Sequence, residues 1–141
     1  MDKLIQSELV EVRRVRTGGR GGRGVFARHP IAEGTVLERV PVVLIPQNQV
    51  FGESEVAIRA CRISWYVFGW GQQDGHDYVA LPLGYGAMYN HSYDPNAVFR
   101  IIRPDIMEFV AILDIKEDEE ITINYSGDPN DKTPVRFPVA E

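Results

Sequence analysis

Cysteine is almost missing from this chain. Cys61 stands alone, which excludes an intrachain disulfide and any cysteine-rich zinc cluster. Long hydrophobic runs are missing too: Met1 to Arg16 interleaves charged with apolar residues, and neither a signal peptide nor a membrane span is readable anywhere along the sequence. A reducing cytosol is the expected compartment. Strong compositional bias is also lacking. Hydrophobic residues at 44% and charged residues at 25% match globular averages, which argues against collagen-like, coiled-coil and disordered classes. No internal repeat is visible. The 141 residues suit one domain, with a radius of gyration near ~14 Å and no room for a second core.

Thirteen glycines and nine prolines favour short strands joined by turns over a helical bundle. Apolar and β-branched residues predict strands at Leu9 to Val15, Val25 to Ala27, Val36 to Ile45 with a break at Pro41, and Trp65 to Phe68. Further strands are expected at Tyr78 to Leu83, Ala97 to Ile102, Met107 to Leu113 and Glu120 to Tyr125. One helix is expected, capped by Ser54 and running to about Ile63, because Val56, Ala60 and Ile63 share a face. The fold class is thus mainly β with one short helix. The net charge of −5 is unevenly spread: residues 1–30 carry seven Lys/Arg against three Asp/Glu, the remainder eight against seventeen. An acidic body can steer a basic protein segment, whereas the arginine-rich start could touch nucleic acid.

Three clusters stand out. Gly18 to Gly24, just before Val25-Phe26-Ala27, offers backbone that a ligand could approach closely, or simply a flexible hairpin. It lacks the residues of the common phosphate-binding fingerprints. Asn90 to Asn96 crowds amides, an imidazole and hydroxyls into a turn fixed by Pro95, a density that requires internal hydrogen bonds if buried. His91, Ser92 and Asp94 do not make a hydrolase triad, since adjacent residues rarely converge and no Gly-x-Ser-x-Gly elbow is present. Nor do His29, His76 and His91 have metal-ligand spacing. Asp118 to Tyr125 is an acidic turn entering an alternating strand; alone it reads as a strand and a solvated charge run.

Together, in this order, the clusters resemble the SET-domain family of protein lysine methyltransferases over about residues 9–126. Gly22 to Ala27 is similar to its Gly-x-Gly segment, Asn90 to Asn96 to Asn-His-Ser-x-x-Pro-Asn, and Glu120 to Tyr125 to Glu-Leu-Thr-x-Asp-Tyr. Tyr85-Gly86 and Trp65-Tyr66-Val67-Phe68 also resemble family segments. The resemblance implies a single catalytic domain of small sheets, with a tail at 127–141 and a knot-like crossing in which the chain after Tyr125 passes the Asn-His-Ser loop. Asn90, Ser92 and Asn96 would then fasten the crossing, with His91 structural rather than a base.

The resemblance further implies S-adenosylmethionine as cofactor, no metal, and a lysine in a protein substrate. Gly22, Arg23, Gly24, Val25, Phe26, Asn90, His91 and Tyr125 would bind the cofactor, largely through backbone groups and amides. Phe137 is the aromatic expected to cover it, because the family's cysteine-rich flanking modules have no counterpart here. Tyr125 is the first candidate for the catalytic hydroxyl and Tyr66 the second, and Tyr66, Tyr89 and Phe99 would wall the lysine channel. Ile123 and Asn124 depart from the usual aromatic and aspartate. A silent module that binds a basic peptide or nucleic acid is the alternative, and a histone substrate would place the protein in a nucleus.

Overall fold

The computed structural model describes residues 4, 7–15, 22–51 and 62–134. Side-chain alternation builds its strands. In β2 (Arg23–Ala27) Val25 and Ala27 point into the core and Phe26 outward, while in β9 (Glu120–Ile123) Ile121 and Ile123 point in and Thr122 is half-buried. The remaining strands are β1 (Val10–Arg14), β3 (Val36–Pro46), β4 (Phe68–Gln73), β5 (His76–Pro82), β6 (Asn90–His91), β7 (Ala97–Ile102) and β8 (Ile106–Ala111). They form one sheet ordered β1-β2-β9-β6 and another ordered β4-β5-β3-β8-β7. The mainly β class expected from the sequence is what the described residues adopt.

Pro41 does not break its strand. It sits where β3 changes partners: Val36 to Pro41 pairs with β8, and Val42 to Pro46 pairs with β5. A residue without an N–H is tolerated at such a handover. The expected strand at Trp65 to Phe68 is shifted. Arg62–Trp65 forms a 3-10 turn and β4 starts only at Phe68, returning as β5 through Asp74-Gly75. Both turn residues have positive φ, 55° and 79°, the geometry that favours Asp-Gly in two-residue hairpins. The expected helix from Ser54 lies mostly outside the described residues, and the helix observed is the four-residue α1 (Gln47–Val50). None of the described helices is long and apolar enough to cross a membrane.

The main core lies between the sheets, where Leu37, Trp70, Tyr89, Met107, Phe109, Ile121 and Ile123 are essentially inaccessible. The Tyr89 and Phe109 rings stack at 4.7 Å. Truncating a ring so placed costs about 3–5 kcal/mol. Both sheets therefore present their loops around β6 and β9 on a rigid base.

Candidate functional site

β9 is the junction. It runs antiparallel to β2, with Phe26 opposite Glu120, and parallel to β6, with Asn90 opposite Thr122 and His91 opposite Ile123. A two-residue parallel ladder holds little by itself, so side chains complete it. Asn96 donates to the Glu120 carbonyl at 2.9 Å and accepts from the Thr122 N–H at 2.9 Å, substituting for a missing strand partner. The Ser92 N–H donates to the Ile123 carbonyl at 2.8 Å.

The chain beyond β9 then lies against the 90–94 loop. The Tyr125 N–H donates to His91 Nδ1 at 3.0 Å, and Lys132 Nζ donates to the Tyr93 carbonyl. Asn124 closes the following turn by donating to the Asp131 carbonyl at 2.6 Å. Because Nδ1 of His91 accepts, a neutral ring carries its proton on Nε2. His91 is buried and its ring lies 4.4 Å from Tyr93 and 5.1 Å from Tyr125, so its described contacts are those of a structural residue. This apposition of the 90–94 loop with the segment after β9 is the crossing expected from the sequence.

Tyr125 gains a fixed direction from these contacts. Its hydroxyl donates to the Tyr89 carbonyl at 2.6 Å, and its ring meets Phe68 edge-on at 5.9 Å. Phe68 in turn meets Phe99 at 4.8 Å. Gly127, at a φ of 89°, passes over Phe99, where an added Cβ would lie 3.2 Å from the ring. One phenol, one carbonyl and two apolar rings are thus brought together by β4, β7, β6 and the end of β9. Phe68, from the same segment of the chain, meets the Tyr125 ring, and Tyr66 is half-buried in the turn before β4, its N–H on the Ile63 carbonyl.

Two of the expected site residues have side chains that turn inward. The Tyr89 ring is fully buried and its hydroxyl donates to Glu38 at 2.9 Å; its contribution to this junction is its carbonyl. Val25 points into the core between Val12 and Ile121, which leaves its backbone as the part of the residue that the expected role can use. Tertiary packing sets both directions: Val25 and Ala27 share the inward face of β2, and Tyr89, just before β6, stacks on Phe109. Phe137 and residues 16–21 lie outside the described residues.

The glycine segment meets the junction at Gly24. A Cβ there would overlap the Glu120 carboxylate and stand 2.9 Å from Asn90 Nδ2, so the missing side chain makes room for protein groups. Asn90 Nδ2 donates to the Arg23 carbonyl at 2.8 Å and to Glu120 Oε2 at 2.7 Å. Phe26, half-buried on the same strand, lies under the Arg13 guanidinium at 5.1 Å, and Arg13 also bridges Glu11 and Asp118. Gly22, with φ of 72°, has open space around it, and the Arg23 side chain is exposed. Burial pushes the Glu120 carboxyl above the usual range, with the Asn90 bond opposing the shift.

Sequence reasoning missed Glu38. It is 1% exposed, accepts from the Tyr89 hydroxyl and from the Tyr85 N–H at 3.3 Å, and is pushed up to about 7 by burial, against those two bonds. Burial, then the Glu38 charge, holds the Tyr89 phenol well above its ordinary value. Gly84, at a φ of 60°, admits the carboxylate, because a Cβ there would stand 2.9 Å from Glu38 Oε2. A single acid in an apolar strand gives no local signal of this partnership. Phe68 and Glu120 stood inside recognised clusters, but only tertiary contact distinguishes them from their neighbours.

Residues 22–126 match the family model of the SET domain. A curated relative, the Schizosaccharomyces pombe histone-lysine N-methyltransferase specific for H3 lysine-37, is 29% identical over 112 residues, 79% of this chain and 71% of that protein. A solved structure from Plasmodium falciparum, described as a candidate histone methyltransferase, superposes with a TM-score of 0.64 at 30% identity, covering 86% of this chain and 95% of the other. The Chaetomium thermophilum Polycomb Repressive Complex 2 shares the fold, with a TM-score of 0.62 at 23% identity over 88% of this chain and 16% of that one. The match contains β2, β6, β9 and Tyr125, the parts from which the junction is built, and the chain belongs to the SET-domain family of protein lysine methyltransferases.

Proposed function

We propose that this chain transfers the methyl group of S-adenosylmethionine to the side-chain amine of a lysine in a basic protein segment. The observation that carries the reading is the Tyr125 hydroxyl, held 2.6 Å from the Tyr89 carbonyl beside the Phe68 ring and the Asn90-His91 strand. The donor set fits the cofactor. The Arg23 carbonyl, the Asn90 amide and the Glu120 carboxylate offer polar partners to its amino-acid end, and the half-buried Tyr125 ring, backed by the buried Phe68 and Phe99, offers apolar surface to the rest. When bound, S-adenosylmethionine supplies an electron-poor methyl group on a sulfonium.

The chain's own residues then have three tasks. Phe68, Phe99 and the Tyr125 ring keep water from the amine, which must be neutral to attack. Lowering a lysine pKa from ~10.4 by about two units costs roughly 2.7 kcal/mol, within reach of an apolar wall. The Tyr125 oxygen, its proton committed to the Tyr89 carbonyl, retains lone pairs that can accept an amine N–H and so aim the nitrogen lone pair. Rigid support for both oxygens comes from the Asn96 and His91 bonds.

The acidic balance after residue 30, eight Lys/Arg against seventeen Asp/Glu, favours a basic segment as substrate, and the named activity of the fission-yeast relative makes a histone-like tail the first to try. A nuclear location would accompany such a substrate. Incubation with methyl-labelled cofactor and basic peptides tests the reading: label should enter lysine-containing peptides and not the same peptides with every lysine replaced by arginine. Label in both, or in neither across histone and other basic peptides, would reject it.

A further inference from the structure

Glu120 is a half-buried carboxylate whose described bond comes from a neutral donor, Asn90 Nδ2. Three other acids are answered by cations, Glu11 and Asp118 by Arg13 and Glu108 by Arg39 and Arg100. Among the described residues no Lys or Arg forms an ion pair with Glu120. A carboxylate has about four acceptor sites, so capacity remains on it.

The geometry around Asn90 decides what that capacity suits. An amide NH₂ has two hydrogens. Those of Asn90 go to the Arg23 carbonyl and to Glu120 Oε2, which leaves no donor for an incoming group. Asn90 is therefore a clamp that draws two acceptors together over Gly24. Absence of a side chain at Gly24 lets the carboxylate sit against β2, and any Cβ there would displace it. Converging acceptors with an unmatched negative charge suit a primary ammonium, and charge-assisted bonds of that kind are about twice as strong as neutral ones.

Resting on the cofactor reading above, we propose that Glu120 accepts the α-ammonium of the cofactor's amino-acid end, with Asn90 as the residue that positions its carboxylate. Glu120 is thereby a ligand-binding residue in addition to a strand residue. The bond distinguishes ligands by one group: an analogue without the α-amine gains nothing from Glu120.

Calorimetry with S-adenosylhomocysteine and its des-amino analogue, on wild type and Glu120→Gln, tests this without relying on turnover. The wild type should bind the amine-containing ligand at least tenfold more tightly than the analogue, a difference of about 1.4 kcal/mol. Glu120→Gln should lose most of that preference while binding the analogue as wild type does. Equal affinity of wild type for both ligands overturns the proposal even if the variant does not fold, and so does a variant that weakens both ligands equally. Wild-type protein that binds neither ligand overturns the cofactor reading and this proposal together, an outcome distinct from tight binding without amine preference.

Discussion

Tyr125 combines three contacts: its N–H on His91, its hydroxyl on the Tyr89 carbonyl and its ring on Phe68. Replacing it by phenylalanine keeps the packing and removes only the hydroxyl. Turnover should fall by about 10²-fold, equivalent to roughly 2.7 kcal/mol, with cofactor affinity little changed. Steady-state kinetics beside calorimetry measure the two separately, and Tyr66→Phe is the comparison: a larger loss there would transfer the central role to Tyr66. Glu38 makes a prediction of another kind. Its folded pKa of about 7 exceeds the ordinary 4.5, so the folded protein keeps a proton that the unfolded chain releases. Stability from this group is fully present below about pH 4.5 and declines as pH rises toward about 7, a loss on the order of 3 kcal/mol. Urea unfolding across that range should show the decline in wild type and a flatter profile in Glu38→Gln. Parallel profiles would mean that Glu38 does not titrate there. Nothing in the local sequence points to this acid, since the hydroxyl it meets is 51 positions away.

At the level of elements, β6 and β9 depend on side chains more than on their own ladder. Asn96→Ala removes two bonds to the β9 backbone and leaves the Thr122 N–H and Glu120 carbonyl without that partner. A cost of about 2–4 kcal/mol is expected from chemical denaturation, and a cost under ~0.5 kcal/mol, the range of an inconsequential surface change, would show that the fastening is dispensable. Gly24→Ala should push Glu120 and Asn90 apart and weaken cofactor binding while the core remains folded, which calorimetry and thermal unfolding distinguish. These elements also show what was legible in advance. The strand β7 was readable at its observed limits, Ala97 and Ile102, because alternation and flanking turns define it locally. The β6 pair was invisible, as two residues carry no periodicity and their partner lies some thirty positions on. The Asn90–Asn96 turn could be recognised by its polar density, yet the inward direction of Tyr89 and Val25 is set by tertiary packing.

For the whole molecule, charge and topology act together. The acidic excess after residue 30 was plain in the sequence and implies that capture of a basic peptide is salt-dependent. Exposed charges are screened beyond about 8 Å near physiological ionic strength, so added salt should weaken peptide binding more than cofactor binding; equal sensitivity would remove the acidic surface from substrate capture. Asn90 on β6 is held in one junction with Glu120 on β9 and Tyr125 just after it, although some thirty positions separate it from them. That arrangement is legible only through the resemblance of its motifs, because composition and periodicity say nothing about which turns converge. The most direct measurement is tandem mass spectrometry of a basic protein substrate, histone H3 first, after incubation with S-adenosylmethionine and either wild type or Tyr125→Phe. Methyl groups should appear on lysine with wild type and be strongly reduced with the variant. Folded wild-type protein that binds the cofactor yet leaves every lysine of histone and other basic substrates unmodified would contradict the account.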